Sequence, residues 1–96
     1  MLLEILTATT IGLNKMKNIR KYVGILNTVK RLEYSVNGNP RFLIAITDYN
    51  KQDVNIARTL PDSMEGYCIS NYENKLVSCE IGLHRNNFHI QNIKEV

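Results

Sequence analysis

Two histidines, His84 and His89 in "HRNNFH", and two cysteines, Cys68 in "GYCIS" and Cys79 in "LVSCEI", offer the most obvious chemistry in this chain. Four such donors in a tetrahedron make a zinc site. The spacing argues against one. The chain has no C-x-x-C and no H-x-x-x-H, so four scattered residues would have to converge. Both cysteines sit among apolar neighbours and read as buried, reduced thiols. The acids Asp48, Asp53, Asp62, Glu65, Glu73 and Glu80 fall in expected turns or at an expected helix start. Asp62 has enough to do as a helix cap. The glycines are single, so no phosphate-cradling loop is spelled out. The reading is a protein without catalytic residues, metal site or cofactor.

The totals bound the rest. Ninety-six residues, 44% hydrophobic and 22% charged, make one ordinary small domain with a modest core. The net charge is +3. The first 31 residues hold six basic side chains against Glu4 alone, a net of +5. A short basic patch is expected, not a polycation. No apolar run approaches the roughly 18 residues of a membrane span. The N-terminus lacks the basic region of a secretory leader, and a cytoplasmic location is expected.

Residues 1–15 read as a weakly patterned extension and residues 16–96 as the domain, with Met1 and Met16 both open as the start. Residues 19–34 are rich in β-formers and long for one strand; Gly24 and Asn27-Thr28 are places for a bend or bulge. Asn37-Gly38 is a strong hairpin signal, and Pro40 launches the next strand, 41–48. A third strand covers 54–60. Asp62 with Glu65 resembles a capping box for a two-turn helix over 63–71, which Gly66 weakens. Met64, Tyr67, Cys68 and Tyr72 fall at helical spacing. Strands on Val77, Cys79 and Ile81 and on Phe88 and Ile90 follow, separated by Asn86-Asn87. The order β-β-β-α-β-β with a bendable first strand predicts a mainly β fold: a five-stranded OB-like barrel with one short helix. An SH3-like barrel or a helix-capped antiparallel sheet is the alternative.

The pattern S-x-N-G-N-P-R-F over 35–42, Arg58-Thr59 with Asp62, and Tyr67, Ile69 and Asn71 resembles a group of small uncharacterised phage and prophage proteins. The resemblance spans about residues 22–93. It implies a phage origin and carries no activity or catalytic residue.

Alternation places Phe42, Ile44 and Ile46 inward, with Leu43 and Ala45 outward. On the third strand it places Val54 and Ile56 inward, and Asn55, Ala57 and Thr59 outward. This outer face has no aromatic platform for bases and is mildly apolar. A partner surface of Asn39, Arg41, Leu43, Ala45 and Ala57 is therefore expected, for a host or phage protein or a second copy. The protein would modulate replication, transcription or a defence system. The alternative is an accessory single-stranded nucleic-acid binder using Lys30, Arg31, Arg41 and Arg85, with weak affinity. Arg58 is expected at the rim, paired with Asp62.

Overall fold

The computed structural model describes residues 16–50 and 52–96; the expectation for residues 1–15 lies outside them. Among the described residues there are five strands: β1 (Lys17–Arg31), β2 (Phe42–Asp48), β3 (Val54–Thr59), β4 (Leu76–His84) and β5 (Asn87–Glu95). Between β3 and β4 lie the one-turn helix α1 (Glu65–Cys68) and a 3-10 turn (Ile69–Tyr72). The strands close in the order β1-β2-β3-β5-β4. All pairs are antiparallel except β3 with β5. This is the mainly β, OB-like arrangement expected from the element order.

The long first strand closes the ring by serving two partners. Residues 17–25 pair with β4 and residues 24–31 with β2. The exchange happens at Gly24, where a Cβ would stand 2.1 Å from the Thr47 carbonyl oxygen. Only glycine permits that approach. A register shift between Thr28 and Lys30 adds a second irregularity, close to the anticipated Asn27-Thr28.

The core is Leu26, Ile44, Ile46, Ala57, Ile69, Val77, Cys79, Ile81 and Ile90. The β2 alternation is as expected: Ile44 and Ile46 are buried. The β3 alternation is reversed. Ala57 and Thr59 are buried, while Val54 and Ile56 are exposed. Thr59 can enter the core because its Oγ1 accepts the Phe42 N–H at 3.0 Å. Its polar atom is satisfied, so burial costs little.

The helix also differs from expectation. It is shorter than 63–71, and Met64 occupies its N-cap with no side-chain cap bond, so Asp62 is not a cap. Met64 and Tyr67 are exposed, and Gly66 and Ile69 face inward instead. The β4–β5 turn is Arg85-Asn86, both at positive φ, as a two-residue hairpin turn requires.

Candidate functional site

The sequence "SVNGNPRF" forms a loop between β1 and β2 rather than a tight two-residue hairpin. Its base is closed by Leu32 N–H to Arg41 O at 2.9 Å, and its tip by Gly38 N–H to Ser35 O at 2.9 Å. Gly38 alone in this loop has positive φ. The loop is tied down by Asp62. Ser35 Oγ donates to Asp62 Oδ1, Asn39 Nδ2 to Oδ1 at 2.7 Å, and Asn37 Nδ2 to Oδ2 at 2.8 Å. Asn39 Oδ1 in turn accepts from Tyr67 Oη on α1. Asp62 reaches this position with φ of +60°, a conformation Asp tolerates better than most residues. Donation from Ser35, then Asn39 and Asn37, with Arg41 nearby, holds its carboxyl below the ordinary carboxylate value. Ser35, Asn37, Asn39, Asp62 and Tyr67 are thus one polar clasp. Sequence reading took the loop as a turn and Asp62 as a cap, and missed their union.

Beside the clasp lies a cleft of about 390 Å³, lined by Tyr34, Ser35, Val36, Arg41, Pro61, Asp62, His84 and Arg85. Arg41 and Arg85, far apart in sequence, meet here. Arg31 lies over the Tyr34 ring, 4.6 Å from its centroid, and donates to its hydroxyl. Lys30 pairs with Leu43 on the outer face. Arg58 does not pair with Asp62; it stands opposite His89 in the β3–β5 ladder. The two histidine rings meet edge to face at 5.4 Å. His89 is buried and its Nδ1 donates to the Asn87 carbonyl at 3.0 Å. Burial lowers its pKa, and His84, Arg41 and Arg58 lower it further.

The cross-strand register also lays out the outer face of β1, β2 and β3 in rows. Ile25, Thr47 and Val54 form one row, and Asn27, Ala45 and Ile56 the next. Lys30, Leu43 and Arg58 form a third. Val54 is 58% exposed, Ile56 46% and Ile25 36%. Of the expected partner residues, Leu43 and Ala45 lie on this face, half-buried. Ala57 is in the core, and Asn39 and Arg41 belong to the clasp and the cleft. The β3 reversal gives the face larger side chains, since Val54 and Ile56 replace Ala57 and Asn55.

Neither thiol is poised to react. Burial pushes Cys79 up to about 12, and burial with Glu65 nearby raises Cys68. Both are free. Among the described residues, no three His, Cys, Asp or Glu side chains gather as metal donors, and no helix is long and apolar enough to cross a membrane. No family model, curated protein or solved structure matches this chain.

Proposed function

We propose that this protein is a non-enzymatic binding module that docks a protein partner on the outer face of β1, β2 and β3. The observation that supports it is the pair of exposed aliphatics Val54 and Ile56, with Ala45 beside Ile56 and Ile25 across Thr47, on one face of three paired strands. Exposed aliphatics gathered on one sheet face mark an interaction surface more often than singly scattered ones do. The field lacks aromatic rings, which suits a protein better than stacked bases. Lys30 and Arg58 flank it in the next row, so a complementary surface is apolar with acidic groups at one end. Asp62, Glu73 and Glu80 have structural hydrogen-bond partners and both thiols have raised pKa values, which supports binding over catalysis.

A phage origin, suggested by the sequence pattern, makes the partner a host or phage protein of replication, transcription or defence, met in the cytoplasm. The experiment is capture from nuclease-treated host lysate with wild type, Val54→Asp and Ile56→Asp, alongside sedimentation of the purified protein. A defined protein retained by wild type and lost from both variants supports the reading. Equal capture by all three refutes it. Self-association abolished by both variants would make the partner a second copy.

A further inference from the structure

We infer that the loop end of the barrel carries a phosphate-binding site, built by Arg41, His84 and Arg85 with Arg58 and His89 beside them, that takes the backbone of a single nucleic-acid strand. The cleft residues Arg41, His84 and Arg85 lie outside the aliphatic field, which Arg58 borders, and the site does not rest on the protein-binding reading.

The groups come from separate parts of the chain. Arg41 precedes β2, Arg58 is on β3, His84 ends β4, Arg85 is in the β4–β5 turn and His89 is on β5. The fold brings Arg41, His84 and Arg85 to one cleft. It sets Arg58 opposite His89, and His89 against His84. Arg41, Arg58 and Arg85 form no ion pair among the described residues. Among the described residues the ion pair formed is Lys75–Glu95 at 3.5 Å, which involves none of them. The one carboxylate on the cleft wall is Asp62, and its oxygens already accept from Ser35, Asn37 and Asn39. Arg41 Nε is buried with no partner. Arg41 and Arg85 against Asp62 alone leave the cleft with excess positive charge, which is unfavourable in a partly desolvated site. The His89 pKa is lowered first by burial and then, in smaller part, by His84, Arg41 and Arg58. An oxyanion in the cleft relieves the excess charge, because guanidinium forks match phosphate oxygens.

A strand fits better than a free nucleotide. Beyond the cleft wall the positive charge continues in Arg31, which lies over the Tyr34 ring. Tyr34, on the cleft wall and 57% exposed, and the Arg31 guanidinium over its ring together offer a planar surface on which a base can stack. No glycine-rich loop is present to envelop a lone triphosphate. With a handful of contacts and one aromatic ring, binding should be weak and steeply salt-dependent.

The test is fluorescence anisotropy with labelled oligo-dT and oligo-rU, titrated between about 50 and 200 mM salt. Arg85→Gln and Arg41→Gln should each weaken binding several-fold and lower the salt slope by about 1. Lys75→Gln, at the Lys75–Glu95 pair, should leave binding as in wild type. Arg85 is exposed on a turn, so its variant folds and reads the site cleanly. Imidazole resonances provide a second readout: bound strand should raise the His89 pKa. Unchanged affinity in Arg85→Gln and Arg41→Gln, or no binding by wild type at low salt, overturns the site. Inorganic phosphate alone producing the full imidazole shift, with oligonucleotides binding no tighter, overturns the strand as its ligand.

Discussion

Gly66 lies so close to Pro40 that a Cβ at position 66 would stand 2.2 Å from the Pro40 carbonyl oxygen. The helix is therefore seated on the β1–β2 loop through a side chain that is absent. Alanine is the better helix former by about 1 kcal/mol. Here the close approach outweighs propensity, because the clashing atom is backbone and cannot swing aside. Gly66→Ala should lower stability by about 1–3 kcal/mol, which thermal melting measures. An equal or higher melting temperature would show that α1 is not held against the loop.

The clasp should respond to both charge and pH. In Asp62→Asn, one of the three donors from Ser35, Asn37 and Asn39 would face another donor, although Asn tolerates the left-handed backbone. Loosening of residues 35–39 should appear as faster amide exchange at Asn39 and Gly38, whose N–H groups donate within this loop. The folded pKa of Asp62 is below its ordinary value of 3.8. Its contribution to stability is thus fully present above that value and fades as pH falls through the lower folded one. Wild type should lose the clasp below about pH 3.8, while Asp62→Asn should lack this acid-dependent step.

His89 sets a second pH window. Its folded pKa is below the ordinary 6.5, first because it is buried. The unfolded chain therefore takes up a proton that the fold refuses, and stability should decline as pH drops below about 6.5 toward the folded value. His89→Gln should flatten that decline. Chemical denaturation of both proteins from pH 8 to 5 checks it; parallel curves would place the cause elsewhere.

The register of β3 gives opposite outcomes at neighbouring positions. Ala57→Asp puts an unpaired charge among Ile44 and the other core residues. That should cost several kcal/mol, enough to unfold a small domain. Ile56→Asp stands on the outer face and should stay within about 0.5 kcal/mol of wild type. Circular dichroism melts of the pair decide it, and a reversed result would exchange the two faces of β3.

Much of this architecture was legible because local chemistry was unambiguous. Gly24 in a long β-rich run marked the bend, and Phe42, Ile44 and Ile46 alternated without competitors. Strand β3 was not legible in the same way. Val54 and Ile56 are the larger aliphatics, so they claimed the core, yet Ala57 and Thr59 are the buried side. The smaller side chains point inward opposite Ile44, and a threonine is buried because a partner strand supplies its hydrogen bond. That fact belongs to tertiary structure. The clasp was hidden for a related reason. Asp62 three residues before Glu65 imitates a capping box, while its real donors lie more than twenty residues away. Arg41 and Arg85 were separately visible as cations; only ring closure places them on one cleft.

The most direct test of protein docking on the outer face is site-specific photo-cross-linking. A photoreactive residue replaces Ile56 on that face or, as a control, exposed Asn92 on β5. Irradiation in nuclease-treated cell lysate is followed by mass spectrometry. Position 56 should give one discrete protein adduct that disappears when Val54→Asp is added, and position 92 should give none. No adduct from position 56, or the same diffuse adducts from both positions, would contradict the claim that this face is a docking surface.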